Sequence, residues 1–200
     1  PLLYDDYDMT AAVYFGKVVV ENEKERAHLK RLYEISNHPD KNKIGKSLKL
    51  SFAHAAMIAQ AFEKEEDVVK SLERTGHYEA ELHKEIMFRV EKARSWVKKH
   101  APEDMRFEIQ QAVSEQVKQR LSKPQLAALT LVAEKLQSKE WTEQELHNEF
   151  YNVCSELKLK PPEFFKAAYL VLLGKERGPR LAPFLLAMQD KAVKLFSEAQ

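Results

Sequence analysis

Glycine is almost missing from this chain. Five glycines serve 200 residues, at positions 16, 45, 76, 174 and 178. The long stretches between them are rich in Glu, Lys, Ala and Leu, residues with high helix propensity. β-Branched runs are nearly absent, and Val18-Val19-Val20 is the one short candidate strand. A chain of this kind is predicted to be all-α, a helical bundle whose glycines mark the turns.

The apolar spacing locates the helices. Leu82, Ile86, Val90, Ala93 and Val97 recur at three- and four-residue steps and predict a helix over about 79–99. Trp96 lies one turn from Ala93 and is assigned to the core of that helix. Beyond Pro102, the four-residue repeat of Ile109, Val113, Val117 and Leu121 predicts another helix. Ser122 with Gln125, and Thr142 with Glu145, have capping-box spacing ahead of the apolar sets Leu126–Leu129–Val132–Leu136 and Leu146–Phe150–Val153–Leu157. Pro161 and Pro162 suit a first helical turn, which needs no internal amide donors. That helix is expected to run through Leu173, with Gly174 just past its end. Gly178 and Pro179 are expected to start a last helix carrying Leu181, Leu185, Met188 and Val193. Nearer the N-terminus, 21–36 and the Ala-rich 51–62 read as helices, and 38–45 reads as a polar loop. A division near Thr75-Gly76 separates residues 1–75 from 76–200.

Several function classes are poorly supplied. The chain is 44% hydrophobic and 32% charged with a net charge of +1, an ordinary composition that excludes a strongly basic nucleic-acid wrapper but not a local basic face. No apolar run approaches the 18 residues of a membrane span, so no membrane partner is expected. The start of the chain has no basic segment of a signal peptide. Cys154 is the single cysteine, which excludes an intrachain disulfide and fits a reducing, cytoplasmic setting. Its helical neighbours Val153 and Leu157 make it a small buried apolar residue rather than a nucleophile. The seven histidines form no His-Glu-x-x-His pattern, and no Cys-His cluster is present. Asp5-Asp6-x-Asp8 lacks the downstream Gly and Glu of a calcium loop and reads as a solvated face or a helix anchor. Gly174-Lys175-Glu176-Arg177-Gly178 lacks the preceding glycines of a phosphate loop. No metal site, cofactor site or catalytic constellation is assigned.

Binding has better material. Residues 173–184 hold two glycines, two prolines, Lys175, Arg177 and Arg180 on a short connection between apolar segments. From Lys166 onward there are six Lys or Arg against three Asp or Glu. Such a turn either binds phosphate, helped by amides at the following helix N-terminus, or is a solvated corner whose charges confer solubility. Trp141, Tyr151, Phe164, Phe165 and Tyr169 are aromatic groups of a kind that stacks on unpaired bases, although each also sits in a core pattern. Lys175, Arg177, Arg180, Trp141 and Phe165 are the RNA-binding candidates. A basic face coinciding with exposed aromatics favours RNA. A contiguous exposed apolar groove favours the alternative, a helical protein–protein adaptor without RNA binding.

The segment from Pro162 to Phe184, centred on Leu173-Gly174-Lys175-Glu176-Arg177-Gly178-Pro179-Arg180-Leu181, resembles the C-terminal end of class I lysyl-tRNA synthetases. Further pieces are similar to the same family: Tyr14-Phe15-Gly16, 31–36, Ala93-Arg94-Ser95-Trp96-Val97 with Ala101-Pro102-Glu103, 121–125, and Trp141-Thr142 with Glu145-Leu146-His147. The Ala182-Pro183 pair after Leu181 departs from the commoner pattern. The resemblance implies a helical cage that reads the anticodon (76–200), preceded by a helical connector or stem-contact region (1–75). It implies tRNA(Lys) as partner, with no DNA. It also implies a larger cytoplasmic parent that attaches lysine to tRNA(Lys) using ATP and Mg in a Rossmann domain. The “HIGH” and “KMSKS” signatures of that domain have no counterpart here, so no enzyme activity and no cofactor are expected of this chain itself.

Overall fold

The computed structural model describes residues 2–36 and 47–199. Among them are eleven α-helices and no strand. The first five are α1 (Leu2–Tyr14), α2 (Glu23–Ser36), α3 (Phe52–Ala61), α4 (Glu65–Arg74) and α5 (His83–His100). Then follow α6 (Glu115–Gln119), α7 (Lys123–Ser138), α8 (Glu143–Glu156), α9 (Pro161–Leu173), α10 (Leu181–Met188) and α11 (Asp190–Glu198). The expected all-α fold is observed.

Local chemistry sets most helix ends where the sequence places them. Both capping boxes form, Ser122 with Gln125 opening α7 and Thr142 with Glu145 opening α8. Backbone and hydroxyl hydrogen bonds from Thr142, with Lys139 beside it, hold the Glu145 carboxyl down at about 2. Ser51 caps α3 by accepting from the His54 amide at 3.2 Å. Pro161 begins α9, and Gly174 ends it in the left-handed region at φ 65°.

The helices from α3 onward share one core, which runs across residue 75. α1 pairs with α2 as a hairpin, and α3 packs against α5. α7 contacts α8, α9 and α11, while α10 touches α3, α4, α8 and α11. α3 is thus the main partner of α5. α10 is buried on nearly every side: Leu181 to Leu185, Ala187 and Met188 are all interior. Ser71 of α4 is buried and donates to the Ala187 carbonyl at 3.0 Å. Cys154 is buried, and burial pushes its thiol up.

Three sequence expectations change. The four-residue repeat 109–121 does not make one helix; only 115–119 is helical. The backbone before it bonds elsewhere, Gln110 N–H to the Leu172 carbonyl at 2.9 Å and Phe107 N–H to Gln60 Oε1 at 2.9 Å. Phe107 also packs edge-on against Phe184, with ring centroids 5.3 Å apart. The last helix is two helices, broken at Gln189, and the first begins at Leu181 rather than at Gly178. Gln189 also donates its side-chain amide to the Leu136 carbonyl, which ties the break to α7. Val18-Val19-Val20 forms no strand, and Val19 is 80% exposed. Trp96, expected to be mostly buried, packs against the core edge-on to Phe52 and keeps some exposure because it flanks the inward stripe 82–86–90–93–97. The acidic cluster lies on α1, where Asp5 and Asp6 are exposed and Asp8 meets Arg89 at 2.7 Å. Burial raises the Asp8 carboxyl more than Arg89 lowers it. The loop assigned to 38–45 lies outside the described residues.

These differences in burial predict different costs of truncation. Phe150 is fully buried and packs on Phe164, with centroids 5.4 Å apart. Phe150→Ala is expected to cost about 3–5 kcal/mol in urea unfolding, whereas the half-buried Trp96→Ala costs less. Equal losses for the two variants would contradict this packing.

Candidate nucleic-acid interface

The connection between α9 and α10 is a clamped corner. A Cβ on Gly178 would lie 2.6 Å from Leu173 Cδ1 and 2.8 Å from the Tyr169 ring. Only glycine allows that approach. The Tyr169 hydroxyl donates to the Pro179 carbonyl, and burial pushes this phenol up to about 12. The first turn of α10, Leu181-Ala182-Pro183, is buried, and Pro183 has no amide hydrogen to offer. The positive character of the corner therefore comes from side chains more than from the helix end.

Those side chains come from several elements. Lys175 Nζ donates to the Arg106 carbonyl at 2.8 Å, which pins the corner to the 106–113 segment. Glu176 accepts Lys166 at 2.7 Å and Arg120 at 3.3 Å, and these two cations hold its carboxyl below the usual range. Arg177 is exposed and has no ion-pair or hydrogen-bond partner among the described residues. Arg180 precedes α10 and reaches Glu143 at 2.6 Å while its side chain stays 83% exposed. Glu143 is the first residue of α8, so this ion pair joins the corner to α8.

The aromatic candidates differ in availability. Trp141 is half-buried, donates Nε1–H to the Lys135 carbonyl at 2.7 Å, and lies under Lys139 Nζ at 4.1 Å from the ring centroid. Phe165 is half-buried among Phe150, Phe164 and Tyr151, at 6.0, 5.4 and 6.3 Å between centroids. The candidate ring that reaches solvent is Tyr151, 46% exposed, with His147 at 5.3 Å between centroids. Sequence spacing brings Lys175, Arg177 and Arg180 together, and the structure adds Lys166 and Arg120. Arg120 and Glu176 are 56 residues apart, and no local signal announces that contact.

On a different face, α1, α2, α3 and α5 line an apolar groove of about 860 Å³ containing Leu3, Leu32, Phe52 and Phe88. Leu3 is 79% and Phe88 63% exposed. No group of three or more His, Cys, Asp or Glu among the described residues is placed to hold a metal ion. No helix among them is long and apolar enough to cross a membrane.

A family model described as an anticodon binding domain matches residues 59–191, which contain the corner, α8 and the basic and aromatic side chains around them. The chain belongs to this anticodon-binding family. Within it, the chain matches the anticodon-binding region of class I lysine–tRNA ligases, as the resemblance implied. The lysine–tRNA ligase of Pyrococcus horikoshii is 33% identical over 202 residues, covering 96% of this chain and 36% of that protein. The enzyme of Aeropyrum pernix is 32% identical over 203 residues, with 96% and 36% covered. That of Borreliella burgdorferi is 30% identical over 185 residues, with 92% and 34% covered. The chain thus spans about a third of the length of these relatives.

The close approach at Gly178 makes a direct prediction. Gly178→Ala is expected to cost about 1–3 kcal/mol, because the new methyl group must displace Leu173 or the Tyr169 ring. Thermal unfolding checks it. An alanine variant as stable as the parent would mean that the corner is not packed as described.

Proposed function

We propose that this chain is the C-terminal, tRNA-binding portion of a lysine–tRNA ligase. In this reading it binds tRNA(Lys) at the anticodon, and its parent attaches lysine to that tRNA in an ATP-dependent reaction. ATP and Mg would be held by the part of the parent outside this chain. The chain's own work is to bind and orient RNA. The observation that carries the reading is the corner between α9 and α10, where Arg177 and Arg180 are exposed inside the family-matched span. Cations on a rigid corner can reach phosphate oxygens without a shaped base pocket, so Lys175, Arg177 and Arg180 are assigned to the RNA backbone. Trp141 and Phe165 support the adjacent aromatic surface from within.

The apolar groove on α1, α2 and α5 is the one observation that favours the adaptor reading. The two readings separate on RNA binding. A salt titration of tRNA(Lys) binding by the parent chain and by a Lys175/Arg177/Arg180 triple-alanine variant tests the assignment. The variant should bind all tRNAs more weakly, and the slope of log K against log salt should fall by about 2 if three phosphate contacts to unpaired RNA are lost. Arg177→Ala alone, which breaks no hydrogen bond or ion pair among the described residues, should reduce the slope by somewhat less than 1. Identical affinities and slopes would return the corner to a structural role. No tRNA binding by the parent would leave the adaptor reading.

A further inference from the structure

The outward arc of α8 carries an unusual run of side chains. Gln144, His147, Asn148, Tyr151, Asn152 and Ser155 are all exposed. Their spacing of three and four residues puts them on one stripe of the helix. Not one of them is an Asp, Glu, Lys or Arg, in a chain that is 32% charged. The opposite arc, Leu146, Phe150, Val153 and Cys154, faces the core. A neutral stripe of amides and rings offers hydrogen bonds and stacking but little charge.

We propose that this stripe is the surface that reads the unpaired anticodon bases, with Tyr151 as the stacking platform and Gln144, Asn148 and Asn152 facing base edges. The proposal rests on the RNA-binding reading above and gives that site its base-recognition surface. Tyr151 packs edge-on to both His147 and Phe165, tilted 68° and 66° to them, and stays 46% exposed. A ring packed in this way loses little entropy when a base stacks on it. Asn148 accepts from Gln144 Nε2 at 2.9 Å, and Asn152 donates to Glu149 at 2.8 Å. Each amide is thereby oriented while part of its donor and acceptor capacity still faces outward.

The charge around the stripe fits RNA. Three of the four carboxylates of α8 are matched by cations from other elements: Glu143 by Arg180, Glu145 by Lys139 at 3.3 Å, and Glu149 by Lys135. The repulsion that bare carboxylates would exert on phosphate is thus offset along the helix. Arg180 meets the α8 N-terminus through Glu143, and exposed Lys158 and Lys160 follow its C-terminus. Cations bracket a neutral middle, so a strand laid along α8 would meet positive charge at both ends and aromatic and amide groups between. The stripe is also continuous with the basic corner through the Arg180–Glu143 ion pair. Trp141 and Phe165, engaged by Lys135, Lys139 and the core rings, act behind it.

The test is binding of a labelled anticodon stem–loop RNA with a UUU anticodon, and of the same hairpin with an altered anticodon, by the full chain and its variants. Tyr151→Ala is expected to weaken UUU-hairpin binding by about 10-fold, while Tyr151→Phe, which keeps the ring, stays near the parent. Asn148→Ala is expected to shrink the ratio between the two hairpins. Both positions are exposed, and circular dichroism melts check that the three variants fold. If the parent binds neither hairpin, the RNA-binding reading falls and this proposal falls with it. If the parent binds while Tyr151→Ala and Asn148→Ala match it in affinity and discrimination, the reading stands. In that case the stripe belongs to protein contact or solvent, and the proposal is overturned.

Discussion

The burial of α10 is the constraint on which the rest of the structure depends. Its eight residues, Leu-Ala-Pro-Phe-Leu-Leu-Ala-Met, leave only Leu186 partly exposed. A helix this short is marginal in water, so it exists because its neighbours enclose it. Those neighbours come from both ends of the chain: α3 and α4 from before residue 75, α8 and α11 from after it. Burying Phe184, Leu185 and Met188 contributes roughly 1.5–3 kcal/mol each. The same burial recruits Phe107 onto Phe184, and the 106–113 segment follows it onto the α9 C-terminus.

Because α10 cannot shift, the corner before it cannot shift either. Gly178 lies against Leu173 and Tyr169, and the chain enters the core at Leu181, directly after the exposed Arg180. Arg180 is thereby delivered to the first residue of α8, and Glu176 is delivered to Lys166 and Arg120. A buried apolar helix thus positions an exposed basic corner beside a neutral, aromatic helix face. The apolar groove of α1, α2 and α5 lies on other elements, so the surface suited to protein contact and the surface suited to RNA are separate.

Much of this was legible in the sequence wherever the cause is local. Ser122 with Gln125, Thr142 with Glu145, Pro161 and Gly174 set helix ends through bonds within a few residues, and each does so as expected. The repeat at 109, 113, 117 and 121 misleads because the backbone at Gln110, and at Phe107 just before it, bonds to Leu172 and Gln60, which are far away in sequence. The break at Gln189 and the helix α1 likewise depend on tertiary packing rather than on a breaker residue or a strong apolar stripe. In the candidate site, the cations of the corner are visible as a cluster, but the contacts of Arg120 and Lys166 with Glu176 are not. Aromatic residues in helical patterns all look alike in sequence. Only the packing shows that Trp141 is covered by Lys139 and that Tyr151 is the ring left open.

The central claim is that one continuous surface, the corner of α9–α10 together with the outer arc of α8, receives the anticodon loop. Photocrosslinking tests it most directly. A tRNA(Lys) carrying 4-thiouridine in the anticodon would be irradiated with the chain, and the modified peptides identified by mass spectrometry. The account predicts adducts at Tyr151 and its neighbours on α8, within 144–155. Adducts concentrated instead on α1, α2 or α5, around Leu3, Leu32 and Phe88, would contradict it.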